Sequence, residues 1–357
     1  MTETREGLFD SVSKYRAQIM GFAALWIFFF HVRNEACVFR SIRLLQIIEV
    51  FCDSIGFSGV DMFLFLSGWG LYHAIKRYNL LSFYKRRFRR LIPSFLIYNI
   101  VIALFAGWGI MKFISVVTGW AFLTGNNNET LWFIPAIAIF YLFYPLYYKV
   151  FEKAANKYVF TLAVFGLWFD LAAAGNLLFG GTSTYLFITR IPVFTAGNLA
   201  GWYTFNRKDI KKEHNAAAWA VLFLMLVIGV ITIYPITILK KGFLLPGEYD
   251  GLPSTLIGIP MCFILARVFS FLGRISLIQK AYGFLGKITL EFYAAQSMVI
   301  HIFKTLIVTS GASFNDHLYV LIVLLLSLGG AYLINLVFTV FTKLADGEPV
   351  FAAKEKK

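Results

Sequence analysis

The sequence predicts an all-α integral membrane protein, a bundle of about ten transmembrane helices with both termini in the cytoplasm. Three observations carry this prediction: 59% of the 357 residues are hydrophobic, only 15% are charged, and the mean hydropathy is +0.71. A soluble domain holds about 45–50% apolar residues with glycine included, and about 25% charged ones. Such a composition suits a lipid solvent, and it excludes a disordered chain, a secreted disulfide scaffold and an ordinary cytosolic enzyme.

The apolar residues form runs of about 20 residues, the length that a helix needs to cross a membrane. Charged or Gly- and Pro-marked breaks separate the runs. The first run lacks the small-residue cleavage pattern of a signal peptide, so we expect it to be retained as a span. The ten runs lie at about 17–37, 56–75, 91–110, 131–150, 158–179, 184–205, 216–239, 252–272, 282–303 and 318–342.

Two segments are predicted to lie at the membrane surface. Residues 33–53 mix charged and aliphatic side chains, a pattern typical of an amphipathic surface helix. Residues 113–123 are too short to span the bilayer. The sequence shows no internal repeat and no second folded domain, so residues 1–357 are predicted to form a single membrane domain with short cytoplasmic tails.

The positive charges predict the orientation. With a cytoplasmic N-terminus, 24 of the 33 Lys and Arg residues fall in inner segments and 7 in outer segments. Because cytoplasmic loops carry the excess of Lys and Arg, this asymmetry predicts an even number of spans. Membrane orientation therefore explains the position of the excess positive charge, and the net charge of +14 does not indicate a nucleic-acid partner. The partner that we expect for the apolar surface is the lipid bilayer.

The three cysteines are too few for a disulfide framework. Cys37 and Cys52 lie in one predicted outer segment, where they either pair or remain free thiols. Cys262 lies inside an apolar run.

Ionisable residues inside the apolar runs are candidates for function, because each costs about 2.5–3.5 kcal/mol on insertion scales. His31 ends the first run, where an imidazole can act as a general base toward a hydroxyl. The alternative is a histidine that simply ends a helix at the interface. His73 lies near the end of a run and is expected to be solvated.

Arg190 lies inside another apolar run, two residues before Pro192. A buried guanidinium beside a broken helix can bind a phosphate or a developing oxyanion. Equally, Asp170 on the neighbouring span could neutralise it.

The densest positive charge lies just before Pro93 and consists of Lys85, Arg86, Arg87, Arg89 and Arg90. Such a cluster anchors a helix to anionic headgroups, or binds a cytoplasmic cosubstrate that carries phosphates. The sequence contains no P-loop, no dinucleotide-binding glycine motif, no serine-hydrolase elbow and no metal-binding His/Cys spacing.

Six segments of the sequence, in chain order, are MGFAALWIFFFHV (20–32), GVDMFLFLSG (59–68), FYKRRFRRLIP (83–93), LWFIPAIAIFYLFYP (131–145), RIPVFTAGNLAG (190–201) and LGKITLEFYAAQ (285–296). Taken together, these segments resemble the acyltransferase-3 family of multi-span membrane O-acyltransferases. The resemblance covers about residues 14–342, and its most specific match is that of residues 59–68 to the signature GVDxFFxLSG. Within the basic run, both Arg86/Arg89 and Arg87/Arg90 fit the Arg-x-x-Arg spacing of the family.

The resemblance implies a multi-pass protein of the bacterial plasma (inner) membrane. The activity that it implies is O-acetylation, in which an acetyl group moves from acetyl-CoA to a hydroxyl of a surface or exported carbohydrate such as an exopolysaccharide. Acetyl-CoA or another acyl-CoA is then a cosubstrate, and no permanently bound cofactor or metal is implied. The implied partners are a surface polysaccharide or lipid-linked sugar as acceptor, together with polysaccharide-assembly proteins.

The resemblance also implies roles for individual residues. His31 would take the proton of the acceptor hydroxyl, and Arg190 would stabilise the oxyanion. The CoA phosphates would bind to Lys85, Arg86, Arg87, Arg89 and Arg90. Further residues in the matched motifs, expected to contact substrate or to support the fold, are Asp61, Ser67, Glu129, Trp132, Tyr293 and Gln296.

Two positions depart from the family pattern. Met20 stands where many relatives carry an Arg eleven residues before the histidine, although Arg16 lies one helical turn earlier. Gln296 stands where the last segment usually ends in His. These departures keep open a catalytically inactive relative that acts in glycan assembly. A transporter or flippase of lipid-linked sugar is a further alternative, although the broken repeats of many transporters are missing.

Overall fold

The computed structural model describes residues 7–33, 36–125, 131–180, 182–206, 215–237, 251–310 and 315–345. In these residues all regular structure is helical, and no strand occurs. This agrees with the predicted all-α class. It also agrees with the demand of a lipid solvent that each backbone N–H and C=O be paired within its own segment.

The described residues form sixteen α-helices. They are α1 (Leu8–Lys14), α2 (Arg16–Val32), α3 (Arg43–Ser54), α4 (Ser58–Arg77), α5 (Leu80–Phe105), α6 (Ile110–Val117), α7 (Trp120–Leu123), α8 (Phe133–Lys153), α9 (Lys157–Phe179), α10 (Ser183–Ile188), α11 (Ile191–Phe205), α12 (Asn215–Thr237), α13 (Leu252–Phe271), α14 (Ser276–Lys287), α15 (Thr289–Ser310) and α16 (Asp316–Ala345).

Six of the described helices are long and apolar enough to cross a membrane, namely α5, α8, α9, α12, α13 and α16. Two bent pairs, α1 with α2 at 71° and α3 with α4 at 42°, raise the number to eight if each pair is one span. The chain is thus a multi-pass membrane protein, whereas ten spans and two cytoplasmic ends remain predictions.

The end of α4, the start of α5 and helix α1 meet on one side of the bundle, which we call the basic face. The opposite side, where α2 ends and α4 begins, is called the far face. These two names serve to locate the site below.

The predicted span at 184–205 is broken. Helix α10 ends at Ile188 and α11 begins at Ile191, with Arg190 as its N-cap residue and Pro192 in its first turn. Proline suits a first helical turn because it has no backbone N–H to leave unpaired. The break places the backbone of Arg190 inside the bundle rather than at its surface.

The most extensive contact between two described helices joins α4 to α11. A Cβ on Gly197 would collide with the backbone carbonyl of Phe65, and one on Gly68 would collide with the carbonyl of Phe194. The hydrophobic effect does not drive helices together inside a membrane, so they associate through close packing of their backbones over small residues. The crossing fixes two of the motif segments against each other.

A second close crossing joins α2 to α14. A Cβ on Gly286 would collide with the carbonyl of Ala17, and one on Gly21 with the carbonyl of Tyr282. Because Arg16 and His31 both lie on α2, this crossing holds the helix that carries two candidate site residues.

Helix α3 is the amphipathic surface helix predicted at 33–53. Its aliphatic side chains are exposed, among them Leu44, Ile47 and Ile48. The preceding loop is tied to the bundle by an ion pair of 2.9 Å between Arg40 Nε and Asp316 Oδ2. The predicted surface segment at 113–123 contains the short helices α6 and α7.

The three cysteines are free thiols. The Cys37 thiol donates to Glu49 Oε2 at 3.1 Å, and the same carboxylate accepts the backbone N–H groups of Val38 and Phe39. Desolvation and this carboxylate raise the pKa of the Cys37 thiol, so it stays protonated near neutral pH. Cys52 is exposed and Cys262 is buried.

Candidate active site

A cavity of about 500 Å³ opens at the basic face between α1, α2, α4 and α5. Three arginines and one histidine line it, and no carboxylate does, so we call it the cationic cavity. A group of this kind binds polyanions, because each guanidinium offers several N–H donors to phosphate oxygens. Its lining comprises Val12, Ser13, Arg16, Leu66, Trp69, Gly70, His73, Ala74, Arg77, Tyr78 and Arg87.

A second cavity, of about 200 Å³, lies deeper between α2, α4, α5, α8 and α15. We call it the apolar cavity, because most of its wall is aliphatic or aromatic. It shares Arg16 and Arg87 with the cationic cavity, so the two volumes meet at these side chains. Its lining comprises Arg16, Met20, Ile27, Val60, Phe63, Ser67, Arg87, Arg90, Leu91, Phe133, Ile137, Tyr141, Thr289, Leu290 and Tyr293.

Arg16 is fixed at this junction by its surroundings. Its Nη2 donates to the carbonyl oxygen of Leu66 at 2.7 Å. Gly70 leaves room for the guanidinium, since a Cβ there would lie 2.7 Å from both Nη atoms. Arg87 faces the same junction and lies near the rings of Phe83 and Tyr141. Two like charges therefore stand where the cavities meet, and no carboxylate in either lining compensates them.

His31 lies one helical turn beyond the deep end of the apolar cavity. Its ring faces that of Tyr293 in a stacked arrangement, with centroids 6.4 Å apart and planes at 30°. Tyr293 also meets Phe133 edge-on at 6.0 Å, and both rings line the apolar cavity. His31 Nδ1 is buried without a hydrogen-bond partner among the described residues. The imidazole is thus connected to the cavity through one tyrosine ring.

The predicted phosphate-binding run separates into distinct roles. Lys85 is exposed and lines neither cavity, and Arg86 stacks on the Tyr78 ring at 4.4 Å. Arg89 donates to the Thr342 carbonyl at 2.5 Å. Of the two pairs that fit the Arg-x-x-Arg spacing, only Arg87 and Arg90 line a cavity.

Arg90 is neutralised although it borders the apolar cavity. Its guanidinium forms two hydrogen bonds to the Glu291 carboxylate and donates to the Lys287 carbonyl at 2.6 Å. The Glu291 side chain has no exposed surface. This contact ties the beginning of α5 to the junction of α14 and α15, and it leaves Arg87 as the uncompensated arginine of the pair.

Arg190 is bound by Asp61 rather than by Asp170. Arg190 Nε lies 3.3 Å from Asp61 Oδ2, and both side chains are buried. Asp61 Oδ1 accepts a hydrogen bond from the Thr255 hydroxyl at 3.2 Å. Asp170 is exposed on α9, so the alternative that it neutralises Arg190 is wrong. The ion pair joins α4 to α11, and Arg190 lines neither cavity.

The remaining motif residues lie at different depths. Ser67 lines the apolar cavity, and Trp132 caps the start of α8 beside Phe133. Gln296 is buried one turn beyond Phe292, and its side-chain nitrogen and oxygen have no partner among the described residues. Glu129 lies outside the described residues.

Sequence reasoning missed two residues of the cationic cavity, His73 and Arg77. His73, which we expected to be solvated, is half-buried in the wall of this cavity, and its Nε2 lies 3.1 Å from Thr204 Oγ1. The available signal was helical spacing, since Gly70, His73, Ala74 and Arg77 recur at three or four residues along α4. That spacing shows a shared face but not which helix the face meets.

No curated protein and no solved structure matches the chain. The sequence model of the family described as an acyltransferase domain, acyltransferase 3, matches residues 19–336. This range includes most of α2 with His31, the ion pairs Arg90–Glu291 and Arg190–Asp61, and every residue that lines the apolar cavity except Arg16. The chain therefore belongs to the acyltransferase-3 family of membrane acyltransferases.

Proposed function

We propose that the protein is an O-acetyltransferase of the bacterial plasma membrane that moves an acetyl group from acetyl-CoA to a hydroxyl of a surface or exported carbohydrate. The observation that carries the proposal is the junction of the two cavities at Arg16 and Arg87. A thioester donor has an anionic end and an apolar end, and the two cavities offer a matching site to each.

In this proposal the phosphates of CoA occupy the cationic cavity, which opens to the cytoplasm. Arg87 and Arg16 contact them at the junction, with Arg77 nearer the opening. The pantetheine arm passes between the two arginines into the apolar cavity. The thioester then lies against Tyr293, one turn below His31.

The chemistry follows from this placement. A neutral sugar hydroxyl is a poor nucleophile, so His31 accepts its proton as the oxygen attacks the thioester carbonyl. The tetrahedral intermediate collapses by breaking the carbon–sulfur bond, and the imidazolium returns the proton to the CoA thiolate. The products are the acetylated sugar and CoA. Tyr293 serves as a positioning residue that holds the imidazole by stacking.

The structure changes the role that we assign to Arg190. A guanidinium that neutralises a buried aspartate is held by that contact, so we assign it to the packing of α4 on α11 rather than to the oxyanion. Similarly, Arg86 and Arg89 contact protein groups, and the phosphate site is reduced to the arginines that line the cavities.

The test measures acetyl-CoA binding to the purified protein in lipid nanodiscs by calorimetry. Loss of one charge-assisted phosphate contact costs about 1.5–3 kcal/mol, so Arg87→Ala should weaken binding by about 10-fold or more. Lys85→Ala is the matched control, because it removes one positive charge from the same turn of α5 but lines neither cavity. Equal losses of acetyl-CoA affinity in both variants would instead show that the basic run from Lys85 to Arg90 anchors the helix to lipid headgroups.

The acceptor is tested in cells. Mass spectrometry of surface polysaccharide, with and without the gene, should show that each modified site loses the mass of an acetyl group less that of the hydroxyl hydrogen that it replaces. If the purified protein binds glycan but never consumes acetyl-CoA, the alternative of a catalytically inactive relative that acts in glycan assembly is favoured. Uptake of lipid-linked sugar without acyl-CoA would favour a flippase.

A further inference from the structure

We propose that the deep end of the apolar cavity measures the acyl chain of the donor and admits only short acyl groups, with Val60 as the residue that sets the limit. The inference rests on the proposed function, because it takes the donor to be an acyl-CoA. It adds a specificity-determining residue to that reaction.

The polarity of the apolar cavity changes along its length. Its arginines, Arg16, Arg87 and Arg90, lie at the end that joins the cationic cavity. At the other end the wall carries no charge and is made by Ile27, Val60, Phe63, Phe133 and Tyr293. An acyl-CoA that enters with its phosphates at the arginines therefore carries its acyl group toward the uncharged end.

The length of the cavity matches this orientation. Arg16 and Ile27 both line it and lie eleven residues apart on α2, about 16 Å at 1.5 Å per residue. That distance is comparable with an extended pantetheine arm. The thioester is then delivered near Ile27, which lies one helical turn before His31.

The volume leaves little space beyond the arm. An engineered cavity of about 150 Å³ holds one benzene molecule, and pockets for drug-sized ligands begin at about 300 Å³. The apolar cavity has about 200 Å³, between these two sizes. An arm that runs the length of such a space leaves little room beyond its thioester, so each methylene added to the acetyl group has to displace the wall.

Among the wall residues at the uncharged end, we assign the limit on acyl-chain length to Val60. Tyr293 and Phe133 are engaged in ring contacts with each other, and Tyr293 supports His31. Ile27 is buried against Gly59, which it approaches closely. Val60 is half-buried on the same turn of α4 and faces the cavity.

A second apolar space offers a competing site for a long chain. A cleft of about 630 Å³ between α9, α11, α12 and α13 shares no residue with the two cavities above and contains no cation. Val221 lines it. A donor chain lodged there would not respond to changes at Val60, so Val221 provides a matched control.

The experiment measures the affinity of the full chain in lipid nanodiscs for CoA, acetyl-CoA, butyryl-CoA and hexanoyl-CoA by calorimetry. A misfit of one or more methylenes costs about 10-fold or more in an apolar pocket, so the wild-type protein should bind hexanoyl-CoA at least about 10-fold more weakly than acetyl-CoA. Val60→Ala should remove this difference. Val60→Leu should extend the penalty to butyryl-CoA, and Val221→Ala should leave the series unchanged.

Three results would overturn the inference. One is equal wild-type affinity for acetyl-CoA and hexanoyl-CoA, and another is a limit that moves with Val221→Ala. The third is CoA binding that Arg87→Ala weakens, combined with a limit on acyl length that is the same in the wild type and in both Val60 variants. That result contradicts the chain-length proposal and leaves the proposed function standing. A protein that binds no CoA at all contradicts both.

Discussion

The ionisable side chains inside the bundle differ in whether a carboxylate neutralises them. Arg190 and Arg90 are paired with Asp61 and Glu291, whereas Arg16 and Arg87 face cavities without a carboxylate. A paired buried charge supports the fold, and breaking such a pair is costly. An uncompensated one attracts an anionic ligand. This distinction separates the arginines that a carboxylate holds in place from those that we propose to bind an anionic ligand.

His31→Ala should lower the rate of acetyl transfer by about 100-fold to 10,000-fold, the usual contribution of a general base. The measurement is the acetyl content of surface polysaccharide, with protein abundance in the membrane checked in parallel. His301→Ala is the matched control, because that histidine is exposed at the side of α15. Wild-type turnover in His31→Ala would remove the imidazole from the mechanism.

Asp61→Ala should destabilise the protein by about 3–5 kcal/mol, because it leaves a buried guanidinium without its partner. The measurement is unfolding in denaturant, followed by tryptophan fluorescence. Arg190→Met combined with Asp61→Leu should recover much of the loss, since it removes both charges. If Arg190→Met alone abolished acetyl transfer at unchanged stability, the oxyanion role implied by the family resemblance would be correct instead.

At the scale of helices, glycine positions determine how closely the elements that carry the site approach one another. Gly197 and Gly68 bring α4 onto α11, and Gly21 and Gly286 bring α14 onto α2. The first crossing supports the Asp61–Arg190 pair, and the second holds the helix with His31. A small change of distance at either crossing therefore displaces residues around both cavities.

Gly197→Ala should destabilise the bundle by about 1–3 kcal/mol or more, because the new Cβ collides with the Phe65 carbonyl. Thermal unfolding in nanodiscs measures the effect. Gly166→Ala on α9 is the control, since nothing lies within 4 Å of its Cβ position, and there alanine should be neutral or stabilising. Equal stability of the two variants would show that the α4–α11 crossing is looser than described.

Apolar run length predicted the helices well, but it could not locate their breaks or their partners. The run at 184–205 reads as one span, and only Pro192 indicates the interruption at Arg190. The spacing of the basic run fits two arginine pairs equally, because residues 86 and 87 differ by only about 100° around a helix. Asp61 and Arg190 are distant in sequence, so no local pattern encodes their contact.

At the scale of the whole molecule, the charge asymmetry defines an orientation that can be measured. The basic face carries Lys85 and its neighbours, and the far face carries the exposed Cys52. Because positive charge is retained on the cytoplasmic side, the far face should be outside.

A membrane-impermeant maleimide should label Cys52 in intact spheroplasts of a Cys37→Ser variant. In a Cys37→Ser, Cys52→Ser variant, Lys85→Cys should be labelled only after the membrane is opened. Cys262 is buried and serves as the internal reference for unlabelled thiol. Labelling of Lys85→Cys in intact spheroplasts would invert the orientation and place the cationic cavity outside.

The junction at Arg16 and Arg87 also bears on ion leakage. The two cavities share these side chains in their walls, and a continuous water path through both of them and across the bundle would let protons and metal cations cross. Fixed positive charge at a constriction repels cations, as it does in selective pores. Because two guanidiniums stand where the cavities adjoin, the proposed donor path would admit a negatively charged metabolite while it repels the cations whose gradients the cell maintains.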